Sequence, residues 1–343
     1  MRQVLMQGAA RYVRAEDALD HLEALCAFGQ KPLVVHGETA LKATEDRLLP
    51  GLERCGIRPH LWRNDGFCSR SQVARAVKDG RAQGCDFVLA LGGGKCMDLG
   101  KAIAAALGLP IVTIPTVAAT CAAVTPFSVM YDEEGRPDGA IYHDVPVDLC
   151  MADTAVLCAA PERALRAGMV DSLAKLPELC CGEDPSAPAP FLLGTARLLA
   201  RHVTGTLTPA CARLAQGEAI PLEETLDAVI ALTGTCSGYA AGTKQLAIAH
   251  AFNGAVRFLH PQKANGWLHG ETVGVGILVQ MRFNGDPGDG DFKGLLGSLG
   301  MPDSLCALGM KPEGVAEYIA DHMGFAPGSP QSQKVAEAVG AHL

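Results

Sequence analysis

The sequence predicts an α/β N-terminal domain with a parallel, Rossmann-like sheet over residues 1–160, followed by an all-α C-terminal domain over residues 161–343. Three observations predict it. Short apolar runs alternate with helical patterns through the first half, as in a parallel sheet with crossover helices. From about Pro161 onward the period becomes 3.6 residues and β-branched runs become scarce. The length, 343 residues, makes about two domains at ~150 residues each, enough to bury a sizeable core. Hydrophobic residues at 48% against 19% charged mark a globular rather than a disordered chain, and 5% aromatics suit close helix packing through Ala and Gly.

The elements follow in order. Leu33-Val34-Val35, after Lys31-Pro32, is a short apolar strand. Ser71 to Ala82 reads as a helix with Val73, Ala76 and Val77 on one face. Phe87 to Leu91 is an uninterrupted apolar run ending in glycines, the pattern of a strand covered on both faces. Met97 to Leu107 is an Ala-rich helix stopped by Gly108 and Pro110. Ile111 to Ile114 is the next strand, ended by Pro115. Strand, helix, strand in this rhythm implies right-handed crossovers. The break falls near Ala159-Ala160-Pro161. Beyond it, Glu162–Leu179, Leu222–Tyr239, Thr243–Phe258, Thr272–Arg282 and Pro312–His322 are expected to be helical. The Asp-rich stretch Asn284–Asp291 lacks the closing Glu of a calcium loop and is expected to be a solvated connection.

Charge and cysteine usage exclude several classes. With 29 basic and 37 acidic residues the net charge is −8, which argues against non-specific nucleic-acid binding and a polybasic membrane anchor. No run reaches the ~18 apolar residues of a membrane span, and the first residues lack the apolar core of a secretory signal. Thirteen cysteines, an odd count without any C-x-x-C, are expected to be reduced thiols in a cytoplasmic protein. The expected partner is a small-molecule substrate, and the chain is expected to be a homo-oligomer.

Gly92-Gly93-Gly94-Lys95 lies between a strand and a helix. Glycines there let the backbone approach a pyrophosphate, and the helix N-terminus offers N–H groups and a positive dipole end. A tight turn uses glycine for the same steric reasons, so the loop alone does not decide. It matches neither G-x-G-x-x-G nor G-x-x-x-x-G-K-[ST]. The longer pattern Gly92-Gly93-Gly94-Lys95-x-x-Asp98-x-x-Lys101, followed by Ile114-Pro115-Thr116, is more specific. With Thr116–Thr120 and Ser128–Tyr131 it resembles the iron-containing alcohol dehydrogenase superfamily, in its glycerol dehydrogenase-like branch. The resemblance runs from about residue 30 to residue 310. It implies the two-domain architecture shared with dehydroquinate synthase, and NAD or NADP bound by Gly37, Gly93, Gly94, Lys95, Asp98, Thr116, Ala119, Thr125, Phe127 and Tyr131. NAD-selective members carry an acid where this chain has Gly37, which favours tolerance of NADP. Neighbouring Glu38 could stand in for that acid.

Asp171, His250 and His269 stand out in the helical half. Two imidazoles and a carboxylate leave positions open for a substrate oxygen, as a catalytic zinc or ferrous site requires. Singly, each is an ordinary core or capping residue. The resemblance implies that together they hold one divalent metal, Zn or Fe. Lys175 stands where four-ligand members have a further His, in keeping with a three-ligand site. His260, in an apparent loop over residues 256–268, reads as solvated.

The substrate signal is Cys121. Glycerol dehydrogenases carry an Asp there that helps hold the polyol, and a thiol removes that charge. The segment Ala118-Ala119-Thr120-Cys121-Ala122-Ala123 is similar to that of bacterial hydroxycarboxylate dehydrogenases of this family, which implies a 2-hydroxy acid or a polyol as substrate. Lys244 and Arg257 flank the His250 helix and could meet a carboxylate, though both read first as exposed salt-bridge residues. The expected activity is NAD(P)-dependent oxidation of CH–OH by hydride transfer. The alternatives are a dehydroquinate synthase-like lyase, for which no phosphate-binding Lys/Arg cluster is found, and a non-catalytic helical interaction protein with a vestigial nucleotide fold.

Overall fold

The computed structural model describes residues 8–183, 188–240 and 247–343. The chain divides into two compact units, Met1–Glu133 with Pro137–Leu165 and Glu134–Arg136 with Arg166–Leu343.

The first unit is built on a six-stranded, all-parallel sheet in the order β1-β8-β5-β4-β2-β3. Its strands are β1 (Tyr12–Ala15), β2 (Pro32–His36), β3 (His60–Arg63), β4 (Phe87–Gly92), β5 (Ile111–Pro115) and β8 (Leu149–Asp153). A separate antiparallel hairpin, β6 (Phe127–Tyr131) with β7 (Pro137–Tyr142), interrupts the succession. The runs Leu33–Val35, Phe87–Leu91 and Ile111–Ile114 are strands as expected, and β2, β4 and β5 are buried along their whole length. Helix α1 (Arg70–Gln83) is N-capped by Ser69, whose hydroxyl accepts from the Gln72 N–H at 3.3 Å. Helix α2 (Gly94–Leu107) ends on Gly108 in the left-handed conformation. Leu25, Val34, Leu52, Phe87, Leu89 and Val112 belong to one core cluster of this unit.

The strand order reverses at β2: β3 lies on one side of it and β4, β5, β8 and β1 on the other. In open parallel sheets the crevice at such a switch point, outside the carboxyl ends of the strands, is where ligands bind. Here it is bordered by Gly37, just after β2, and by the glycines that end β4.

The second unit is helical among its described residues. It holds α3 (Glu162–Leu173) from Arg166 onward, α4 (Lys175–Cys180), α5 (Phe191–Ala215), α6 (Leu222–Asp227), α7 (Thr233–Ala240), α8 (Ile248–Leu259), α9 (His269–Asn284), α10 (Asp289–Ser298), α11 (Val315–His322) and α12 (Pro330–Gly340). Phe252, Val256, Val275, Val279, Ile319 and Val335 belong to the core that joins α8, α9, α11 and α12. The expected loop over residues 256–268 is instead helical through Leu259 and again over Pro261–Ala264. In the Asp-rich stretch only the Gly285–Gly288 portion is a connection, because Asp289 already opens α10.

No helix among the described residues is long and apolar enough to cross a membrane. All thirteen cysteines are free thiols.

Candidate metal centre and dinucleotide loop

Three helices of the second unit bring Asp171, His250 and His269 together. Asp171 lies in α3, His250 in the first turn of α8, and His269 opens α9. Two glycines of α9 permit the approach. A Cβ on Gly270 would overlap the Ala167 carbonyl of α3, and one on Gly276 would overlap the Ala249 carbonyl of α8. The helix starting at His269 can therefore press its backbone against both helices that carry the other two residues.

Asp171 Oδ1 stands 3.3 Å from His269 Nε2 and 3.4 Å from His250 Nε2, and one donor atom from each residue falls within 4.8 Å of the others. Ligand bonds of about 2.0–2.1 Å arranged tetrahedrally separate neighbouring donors by roughly 3.3 Å. Asp171 is only 3% exposed, and its Oδ1 is buried without a hydrogen-bond partner. An orphaned buried carboxylate oxygen beside two imidazole nitrogens is what a divalent cation satisfies. The residues therefore fit the metal.

The structure adds Glu178, which the sequence reading missed. It is fully buried in α4 and its Oε2 is 2.7 Å from His250 Nδ1. Its other oxygen, Oε1, accepts the backbone N–H groups of Ala247 at 2.9 Å and His250 at 3.0 Å. One carboxylate thus caps the start of α8 and orients the His250 ring so that Nε2 faces Asp171. Such carboxylate–histidine pairs fix the tautomer of metal-binding histidines. Glu178 follows Asp171 by seven residues but sits in the next helix, so no one-helix periodicity marks it in the sequence.

The electrostatics agree. Burial works against a charged His250, yet the Glu178 carboxylate beside it pushes its pKa up to about 9. Burial alone would raise Asp171, but the His269 and His250 rings hold it below the usual carboxylate range. Two buried carboxylates make this a pocket that calls for positive charge. Lys175 is buried nearby, and its charge opposes protonation of His250. His260 is not part of the cluster, since its Nε2 is bonded to the Lys311 carbonyl at 3.0 Å.

The residues expected to line a dinucleotide all lie in the first unit. Gly92, ending β4, has φ 147°, a left-handed conformation that favours glycine. Gly93 is the N-cap of α2 and Gly94 its first residue, so the helix N-terminus opens directly from the strand. A Cβ on Gly94 would stand 3.2 Å from Thr120 Oγ1. The Thr116 N–H donates to the Gly92 carbonyl at 2.9 Å, and the Gly37 N–H to the Leu91 carbonyl at 3.4 Å. Gly37, the glycine loop and Thr116 thus share one end of the sheet. Lys95 Nζ lies 4.0 Å from the centre of the Phe67 ring, which packs in turn on Tyr131. Ala119 is half-buried in the turn that follows β5.

Asp98, Thr125 and Phe127 are gathered differently, around Lys101. The buried Lys101 ammonium pairs with Asp98 Oδ1 at 3.0 Å and donates to Thr125 Oγ1 at 2.9 Å and to the Phe127 carbonyl. This knot ties α2 to β6 beneath the loop. Cys121 is buried in the turn after β5, where its carbonyl accepts from the Val124 N–H at 3.1 Å. Lys244 lies outside the described residues. Arg257, expected to be exposed, is buried at 7% exposure, and its Nε donates to Asn253 Oδ1 at 3.1 Å.

Comparison with known proteins now decides the family. The family model described as iron-containing alcohol dehydrogenase matches residues 9–157. Hydroxycarboxylate dehydrogenase A of Escherichia coli K12 is 31% identical over 284 residues, covering 80% of this chain and 76% of that protein. The chain belongs to the iron-containing alcohol dehydrogenase family. Glycerol dehydrogenase of Citrobacter freundii, another relative, is 29% identical over 331 residues, covering 90% of this chain and 86% of its own. The fold agrees with the crystal structure of a probable glycerol dehydrogenase from Sinorhizobium meliloti 1021, with a TM-score of 0.83, 24% identity, and coverage of 99% and 98%. As an iron-containing alcohol dehydrogenase of the glycerol dehydrogenase-like branch the chain is an oxidoreductase, and the family implies NAD(P) and a divalent metal.

Proposed function

We propose that the enzyme interconverts a small 2-hydroxy acid and its 2-oxo acid, with NAD(P) at the glycine loop and one divalent metal held by Asp171, His250 and His269. When bound, the metal supplies Lewis-acid polarisation of the substrate oxygen and the dinucleotide supplies the hydride. The donor set suits zinc and ferrous iron alike. Glu178 holds the His250 ring so that its Nε2 stays directed at Asp171. Gly93 and Gly94 leave room for the pyrophosphate at the N-terminus of α2, and the Lys101 knot keeps β6 in place against that helix.

The observation that carries the substrate class is Cys121, a neutral thiol at the position where the family resemblance puts a polyol-holding carboxylate. A negative charge there would oppose an anionic substrate, by several kcal/mol at ~4 Å and an effective dielectric near ~20. The relative named hydroxycarboxylate dehydrogenase supports the acid and the relative named glycerol dehydrogenase supports a polyol. Gly37 supports acceptance of NADP. Its φ of −83° is ordinary, and a Cβ there would meet nothing closer than Cys96 Sγ at 3.7 Å. No steric reason demands glycine, and its missing side chain leaves space for a 2′-phosphate. Glu38, the nearby acid, is already paired with Arg63 at 3.0 Å. The free thiols support a reducing, cytoplasmic setting.

The test is a substrate panel of glycerol and 2-oxo acids with both cofactors, before and after chelation. We expect 2-oxo acid reduction to outpace glycerol oxidation, NADPH to be accepted, and the chelator to abolish turnover. A wild-type preference for glycerol overturns the substrate assignment.

A further inference from the structure

We infer that the second unit carries a further binding site, separate from the Asp171–His250–His269 cluster, for a small amphipathic cation: an amine with an alkyl or aryl body. A cavity of about 820 Å³ lies within this unit, between α3, α4, α5, α9 and α10. That is the size of a small-molecule pocket, typically ~300–1,000 Å³. Leu176, Ile277, Met281, Phe292 and Leu295 give it apolar walls, together with the buried Leu173 and Cys180. On α5 the lining residues are Thr204, Thr208 and Ala212, spaced four apart on one face, and their small side chains leave the space open. Leu176 and Cys180 share one face of α4, while Glu178, on the opposite face, reaches Ala247 and His250. The cavity and the metal centre therefore lie on opposite sides of α4.

Charge selects the occupant. Among the described residues the lining includes the carboxylates of Glu183, Asp286 and Asp291 and no Lys, Arg or His. Glu183 is already paired with Arg197 at 2.7 Å. Asp286 and Asp291 are exposed and form the rim, and neither enters an ion pair among the described residues. The neighbouring bases are engaged elsewhere, Arg282 with Asp289 at 3.8 Å and Lys293 with Asp303 at 3.7 Å. Asp286 is held by the Gly288 N–H, which donates to its Oδ1 at 2.9 Å. The Asp-rich stretch after α9 thus sets two carboxylates at the edge of an apolar cavity. Such a site takes up an apolar body with a positive head and disfavours an anion. The Thr204 hydroxyl leaves one hydrogen-bonding position open. It is buried and has no partner among the described residues, whereas Thr195 and Thr206 of the same helix donate to the carbonyls four residues before them. A polar group on the ligand would satisfy it.

The test is calorimetric titration of the metal- and cofactor-loaded enzyme with octylamine and with N-octylacetamide, which share one alkyl chain and carry a cationic and a neutral head at pH 7. We expect octylamine to bind at one site per chain, about tenfold more tightly than the amide. Asp286→Asn combined with Asp291→Asn should bring octylamine to the amide's affinity and leave the amide unchanged. Thr208→Trp, at an exposed position of α5, fills the cavity from its rim. It should abolish binding of both probes while metal content and the circular dichroism spectrum stay as in wild type. Equal affinities for the two probes in wild type, or no binding of either, overturn the proposal. Octylamine binding that persists in Thr208→Trp places the amine elsewhere, the metal centre included, and overturns it as well. So does an absence of binding in wild type joined to a loss of oligomer in Thr208→Trp by sedimentation, which makes this face a contact between copies of the chain.

Discussion

The candidate nucleotide loop and the candidate metal centre are built by opposite means. The loop is made of backbone: one strand, three glycines and a helix N-terminus within Phe87–Leu107, with its neighbours Gly37 and Thr116 supplied by the parallel register of β2, β4 and β5. The metal centre is made of side chains from three helices, joined across gaps of 79 and 19 residues (Asp171 to His250, His250 to His269). It exists only because Gly270 and Gly276 let α9 touch two other helix backbones. A backbone site tolerates side-chain change but not an added Cβ. A side-chain site tolerates neither the loss of a donor nor the loss of the group that aims it.

That contrast can be broken at its strongest point first. His250→Ala removes a donor, and turnover should fall by roughly a thousandfold or more, about 4 kcal/mol of lost stabilisation. The circular dichroism spectrum should stay native, and normal kcat would contradict the assignment. Glu178→Gln leaves all three donors in place and disturbs only the support of His250. Metal affinity by competition titration should fall about 10–100-fold, the usual effect of losing such a partner. Unchanged affinity would reduce Glu178 to a helix cap.

The backbone site is tested with Gly94→Val, which puts a branched side chain into the space left for the pyrophosphate, where even Cβ would stand 3.2 Å from Thr120 Oγ1. The cofactor dissociation constant should rise about tenfold or more by fluorescence titration, with metal content unaffected. Cys121→Asp should lower the ratio of 2-oxo acid to glycerol kcat/KM by about tenfold, the effect of ~1.4 kcal/mol of screened repulsion. An unchanged ratio would remove Cys121 from the substrate account.

A last effect, on stability rather than activity, concerns His143, whose Nε2 is 2.8 Å from Ser128 Oγ of β6. Burial, with the Lys101 charge adding to it, lowers its pKa from 6.5 to about 4. As pH falls below about 6.5 the unfolded chain takes this proton first, so stability is lost between pH 6.5 and 4 and is fully present above. At 1.36 kcal/mol per unit, discounted for partial solvent screening, the loss is ~1–2 kcal/mol. Urea midpoints at pH 7 and pH 5 should converge in His143→Gln relative to wild type.

Much of this was legible in the sequence where the signal is local. The strands buried on both faces read as apolar runs, and Asp171, His250 and His269 were found together. The edge strands were not seen: β3, His-Leu-Trp-Arg, alternates half-buried and exposed residues, and β1 is similarly charged. Helix α5, 25 residues long, is masked by an internal Pro209 and by Gly and Thr. Glu178 was passed over because a carboxylate in Lys-Leu-Pro-Glu looks like a solvated surface residue. Its partners are the backbone and ring of residues about 70 positions away. Arg257 was misjudged for the same reason, since charge in a sequence reads as exposure until packing says otherwise. The left-handed backbone of the loop falls at Gly92, one position before the pair expected to hold the phosphate, because the chain turns there to start α2.

The three helices of the second unit are expected to hold one metal ion between them. The direct measurement is metal content by plasma mass spectrometry on wild type and Asp171→Ala. Both are stripped with chelator, reloaded with zinc or ferrous iron, and dialysed. Wild type should retain about one equivalent per chain and regain activity, while Asp171→Ala retains almost none and stays inactive. Equal metal retention and equal activity in the two proteins would contradict it.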